Sequence, residues 1–89
     1  MLSLNLTHQA KDFLGQLDPK QFRQVVKKIF SLMDNPQPGD SKPLHGYLFW
    51  RADIGEYRIV YRVEQSTLKV VVVDKRNDDE VYKKLGRIY

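Results

Sequence analysis

The sequence predicts a single α+β domain in which two N-terminal helices pack on one face of a mostly antiparallel four-stranded sheet. The predicted order is β-α-α-β-β-β-α. Three observations predict it. Apolar residues recur at helical spacing through residues 6–33, whereas residues 47–74 alternate at a period of two or run continuously apolar. A loop of three prolines and one glycine, "NPQPGDSKP", separates the two regimes. Eighty-nine residues leave room for one core only.

Each element has a local reason. Leu2, Leu4 and Leu6 alternate with Ser3 and Asn5, as in a half-buried strand. Thr7 can cap a helix in which Ala10, Phe13, Leu14 and Leu17 fall on one side. In "DPKQF" the Asp18 side chain can accept from orphan backbone N–H groups, and Pro19 loses a donor that has no partner in a first turn. Phe22, Val25, Val26, Ile29, Phe30 and Met33 form the apolar stripe of this second helix. "YLFWRAD" reads as a strand, "DIGE" as a turn, "YRIVYRV" as a strand of period two, "EQST" as a hairpin connection and "LKVVVVD" as the return strand. "DDEVYKKLGR", acidic first and basic later, suits a short last helix.

Composition narrows the function classes. The chain has no cysteine, which excludes disulfides and thiolate metal sites and fits a reducing cytoplasm. No apolar run reaches the roughly 18–20 residues of a membrane-spanning helix. The amino terminus lacks the basic start and long apolar centre of a signal peptide. Fifteen Lys and Arg against eleven Asp and Glu leave a net charge of +4, which favours an anionic partner.

Pleating sorts the candidate site residues. Tyr57, Ile59, Tyr61 and Val63 share one face and belong against the helices; Arg58, Val60 and Arg62 share the other. Leu48, Trp50 and Ala52 are expected on the core face, which leaves Phe49 and Arg51 on the open one. If Val70 and Val72 face the helices, Arg76 does too by strict alternation, unless a bulge or turn re-aims it. An open face with arginines and aromatic rings suits single-stranded RNA, because guanidinium forks match phosphate oxygens and rings stack on bases. Phe49, Arg62, Lys69 and Lys75 are candidate RNA-binding residues, although solubility of an exposed sheet face is the simpler reading of Arg62 and Lys69. Nothing pairs His8 with His45, so neither a two-histidine ribonuclease nor a zinc site is supported. Asp78, Asp79 and Glu80 are better read as a helix start than as metal ligands.

The ordered set "LHG", "GEYRIVY" and the valine-rich strand closing on "KRNDDEVY" resembles the RelE/ParE toxin superfamily, and within it the RelE-like mRNA interferases. The resemblance is close over about half of the chain, and the β-α-α start agrees with it. It implies the RelE-like microbial ribonuclease fold and a cytoplasmic toxin of a type II toxin–antitoxin pair. Such a toxin enters the ribosomal A site and cuts mRNA by attack of the ribose 2′-hydroxyl, without metal or cofactor. The implied partners are a cognate antitoxin, mRNA and ribosomal RNA; operator DNA is met only through the antitoxin complex, and no membrane is involved. Carried over by position, the catalytic set is Arg51, Arg58, Arg76 and Tyr82. Where the best-known members have lysine, this chain has Arg51, and a second lysine of those members is Phe49 here, which removes one cation. Arg58, assisted by Arg51, is expected to hold the nonbridging oxygens, and Arg76 to neutralise the leaving-group side. Tyr82 is expected as base for the 2′-hydroxyl or as a stacking platform, with Tyr89 a weaker rival. The alternatives are a ParE-like inhibitor of DNA gyrase and a non-catalytic member that binds antitoxin and operator.

Overall fold

Both predicted helix starts form as their residues dictate. In a computed structural model of the chain, which describes residues 1–44, 48–76, 82, 83, 85 and 86, strand β1 (Ser3–Leu6) leads into helix α1 (His8–Gly15) and helix α2 (Pro19–Asp34). The Thr7 hydroxyl accepts from the Ala10 backbone N–H at 3.3 Å, and the Asp18 carboxylate accepts from that of Gln21 at 2.9 Å. Each cap satisfies a donor that a helix start otherwise leaves open. Strands β2 (Lys42–Leu44), β3 (Phe49–Ile54), β4 (Tyr57–Glu64) and β5 (Thr67–Lys75) follow.

Among the described residues the sheet has five strands, in the order β1-β5-β4-β3-β2, against the four expected. Of the described strand pairs, β1–β5 is parallel and the other three are antiparallel. The additional strand is β2, which comes from the proline-rich segment read as loop. It pairs Lys42 with Arg51 and Pro43 with Trp50. A proline cannot donate to a ladder, so it is tolerated here because the strand is short and lies at the edge. Of the predicted last helix, Tyr82, Lys83, Leu85 and Gly86 have helical backbone; Asp78, Asp79, Glu80, Val81, Lys84 and Arg87 lie outside the described residues, as do His45 and Tyr89.

The hairpin between β3 and β4 turns on two residues, Gly55 and Glu56, with Ile54 paired to Tyr57. Gly55 takes φ +57°, where a side chain would be strained. This register sets Asp53 opposite Arg58. In the β4–β5 ladder, Val60 pairs with Val72 but Tyr61 pairs with Val70, so Val71 is the extra residue of a bulge.

The bulge decides the faces. Val70 and Val73 join the helix-side core with Ile59, Tyr61, Val25 and Ile29, whereas Val71 and Val72 both turn to the other side. From there alternation sends Asp74 and Arg76 to the face that carries Arg58, and Arg58 pairs with Asp74. The expectation that Val72 faces the helices is corrected in the same stroke.

That second face is not bare. Phe49, Val60, Val71, Val72 and Leu85 form a smaller core with Leu44 and Tyr82 packed against it. Leu48, expected in the main core, lies just before β3 and is exposed. Phe22 and Phe30 also depart from expectation: they are 42% and 53% exposed, because Val25, Ile29 and Leu32 take the central line of contact with the sheet.

Beyond Val70, β1 no longer covers the edge of β5, and side chains near α1 take over. The Thr7 hydroxyl donates to the Val71 carbonyl. The Gln9 amide donates to the Val73 carbonyl at 2.8 Å and accepts from its N–H at 3.0 Å. Gln9→Ala removes both of the latter bonds and is expected to cost about 1–3 kcal/mol, because two part-buried backbone groups lose their partner. Urea titration measures it, with the midpoint falling and the slope unchanged.

Candidate active site

Arg58 lies on the second face, beside the turn of the β3–β4 hairpin. Its Nε donates to Asp53 Oδ1 at 2.7 Å and its Nη2 to Asp53 Oδ2 at 3.1 Å. Its Nη1 donates to the Tyr82 hydroxyl oxygen at 2.7 Å, and its Cζ lies 5.9 Å from the centroid of that ring. A guanidinium has five N–H groups. Three are engaged in these bonds, which leaves, among the described residues, one on each Nη for another acceptor.

Arg51 and Arg76 complete a basic rim around Asp53. Hydrogen bonding from Arg58 holds the Asp53 carboxyl below its ordinary pKa; partial burial works against this, and the charges of Arg58, Arg51 and Arg76 add to the lowering. Asp53 in turn raises the pKa of Arg58, in opposition to burial. A polar cavity of about 160 Å³ opens between Asp40, Lys42, Arg51, Asp53 and Arg58. Asp40 is itself paired with Lys28 at 2.8 Å. Arg76 is exposed, and its backbone N–H donates to the Glu56 carbonyl at 2.9 Å, which anchors it beside the hairpin.

The four candidate catalytic residues therefore come to one side of the sheet, at one end. Arg51, Arg58 and Arg76 act on the same carboxylate, and Tyr82 is bonded to Arg58. The candidate RNA-binding residues do not all join them. Phe49 lies on the predicted face but is only 5% exposed, sealed in the second core beneath the Arg62 guanidinium, so its ring is not available to stack on a base. Arg62 and Lys69 pair across the sheet and both contact Glu64. Arg62 lies four residues from Arg58 along β4, a separation of about 13 Å at the usual strand rise. Lys75 pairs with Tyr57, and alternation turns it to the helix side.

Sequence reasoning missed Asp53. The signal was present, since a two-residue turn over Gly55 and Glu56 makes residues 53 and 58 cross-strand partners. Lys42 and Asp40 were also missed, because they fall in the segment read as loop.

The Asp53–Arg58 pair carries a pH prediction. A carboxylate whose folded pKa is depressed adds stability above its unfolded value and loses it as pH falls through the folded value. Stability is thus expected to be flat between about pH 5 and 8 in respect of this pair, and to decline below about pH 4. Thermal melts of the wild type and Asp53→Asn check this: the gap between them is expected to narrow as the pH is lowered.

Residues 4–80 match the family model described as the ParE toxin of type II toxin–antitoxin system, parDE. No curated protein matches the sequence. Among solved structures, the fold superposes on an arginine double mutant of Escherichia coli RelE in the free state with a TM-score of 0.81, at 22% identity over 98% of this chain and 96% of that one. A RelBE toxin–antitoxin complex of Mycobacterium tuberculosis matches with a TM-score of 0.71, at 30% identity over 84% of this chain and 98% of that one. A YoeB/ParE toxin from Agrobacterium tumefaciens gives 0.72, at 26% identity over 84% of this chain and 99% of that one. With an α+β fold of this type and a family match over most of its length, the chain belongs to the ParE toxin family of type II toxin–antitoxin systems, within the RelE/ParE superfamily.

Proposed function

We propose that this toxin is a ribosome-dependent endoribonuclease that cuts mRNA in the A site. The observation that carries this reading is the gathering of Arg51, Arg58 and Arg76 about one carboxylate, with the Tyr82 hydroxyl bonded to Arg58. In the reaction the 2′-oxygen bonds to the adjacent phosphorus and the bond from phosphorus to the 5′-oxygen breaks. A 2′,3′-cyclic phosphate and a 5′-hydroxyl result. Negative charge builds on the nonbridging oxygens, and Arg58 with Arg51 is suited to hold it. Arg76 neutralises the departing 5′-oxygen, which takes its proton from water. Tyr82 receives or aligns the 2′-hydroxyl proton. The ribosome aligns the message, which puts the site of action in the cytoplasm.

The expected partner in the resting state is an antitoxin; matched structures include RelE with RelB and YoeB with YefM. An acidic amphipathic helix suits the apolar groove of about 450 Å³ that runs past Leu4, Leu6, Phe22, Val26 and Phe30. Lys11 lines it, and Arg23 and Lys27 stand exposed on the same helix as Phe30. Such a helix would bury the two exposed rings and meet the cations with its acids.

The ParE family match favours a second reading, inhibition of DNA gyrase without a catalytic set. Mapping of 5′ ends in cells that express the toxin separates the two. Codon-phased cuts inside reading frames, lost in Arg76→Ala, are expected. Supercoiling defects with intact messages would instead support the gyrase reading, and neither effect would leave a member that only binds antitoxin and operator.

A further inference from the structure

The carboxylate at the centre of the basic cluster has no role in the reaction just proposed, and at first sight it opposes one. A negative charge beside Arg58 weakens the attraction of that guanidinium for a phosphate. Its geometry suggests what is gained in return. Asp53 takes the side-on edge of Arg58, with separate oxygens on Nε and Nη2. Two-point contact of this kind fixes both the position and the plane of the fork, which a single hydrogen bond does not. Tyr82 accepts from Nη1. The two N–H groups that these bonds leave over are one on Nη1 and one on Nη2, and Arg58 and Asp53 both line the small polar cavity.

We propose that Asp53 is a positioning residue of the cleavage site, which grips one edge of Arg58 so that its remaining Nη N–H groups face the scissile phosphate and its Nη1 holds Tyr82. The assignment rests on the nuclease reading. The electrostatic cost of Asp53 is tolerated because Arg51, Arg76 and Lys42 keep the surroundings cationic. Freed of Asp53, Arg58 would keep its charge and lose its aim. The guanidinium would then bind the message about as well but stabilise the transition state less, since oriented donors act only where charge develops. Asp53 stands by the two-residue turn and is part-exposed, so its replacement leaves the core intact.

Single-turnover cleavage on programmed ribosomes, with toxin in excess, tests the assignment. Asp53→Ala and Asp53→Asn are expected to lower the rate constant of cleavage by roughly 10–100-fold. The toxin concentration at half-saturation is expected to move by less than about threefold. In the Arg58→Ala background, Asp53→Ala is expected to cause no further loss, because a positioning residue acts only through the group it positions. A further loss in that background as large as in the wild type would overturn the proposal and make Asp53 an independent base. Full speed of Asp53→Ala would overturn it as well. A separate readout is the Arg58 Nε–H resonance in ¹⁵N spectra. It is expected to be protected from solvent exchange in the wild type and unprotected in Asp53→Asn; equal protection in both contradicts the clamp. Wild-type toxin that cuts nothing on the ribosome removes the nuclease reading and Asp53's role in it, whereas wild-type cleavage with unimpaired Asp53→Ala removes only the assignment of Asp53.

Discussion

Arg58→Ala is expected to lower mRNA cleavage by roughly 10²–10³-fold and to abolish toxicity in growing cells, and to lose as well the stability that the pair with Asp53 contributes. The size follows from what the residue touches. It is the one described side chain bonded to both Asp53 and Tyr82, so its loss removes a charge and unfastens two neighbours. The loss of stability stays limited because the Asp53 carboxylate is part-exposed and keeps Arg51 and Arg76 nearby. Arg58→Lys keeps the positive charge but not the fork, and is expected to recover only part of the rate. Circular dichroism of the purified variants, with toxicity measured under a tight promoter, separates loss of chemistry from loss of fold.

Ile59→Ala is expected to do the reverse. Ile59 is adjacent to Arg58, yet alternation turns it into the helix-side core, where it is fully buried among Val25, Ile29 and Val73. Truncation of such a side chain costs about 2–5 kcal/mol in lost burial and cavity formation. For a domain of this size, about 4–8 °C of melting temperature goes with each kcal/mol, so a fall of roughly 8–40 °C is expected. The Asp53–Arg58–Tyr82 contacts lie on the opposite face. The fraction still folded at low temperature is therefore expected to cut at near wild-type rate. Scanning calorimetry and cleavage at 15 °C measure the two halves of this prediction.

These neighbours show what was legible in the sequence. Wherever one residue dictates its own local structure, the reading holds: Thr7 and Asp18 cap the helices, Pro19 opens the second, and Tyr57 to Tyr61 alternate as their polarity requires. Four consecutive valines gave no such guidance. A uniform run carries no alternation, so the bulge at Val71, and with it the face of Arg76, depended on which register the other strands selected. β2 was hidden for a related reason. Its proline reads as a breaker, and only the pairing with β3 makes an edge strand of it.

The site followed the same division. Arg51 and Arg58 could be assigned to one face from pleating alone, whereas Arg76 and Tyr82 were joined to them only through the family pattern. Phe49 was assigned to the correct face and the wrong environment, because it packs in one cluster with Leu85 and Tyr82, which are remote in sequence. Asp53 was passed over as strand-end polarity. Its meaning arises from the hairpin register that brings it to Arg58, a pairwise fact that no single position displays.

The chemistry of the cut ends tests the central claim most directly. Ribosomes programmed with a labelled message and treated with purified toxin are expected to yield fragments that end in a 2′,3′-cyclic phosphate and begin with a 5′-hydroxyl. The same fragments are expected to be missing with Arg58→Ala. An intact message, fragments that begin with a 5′-phosphate, or undiminished cleavage by the Arg58 variant would contradict the account.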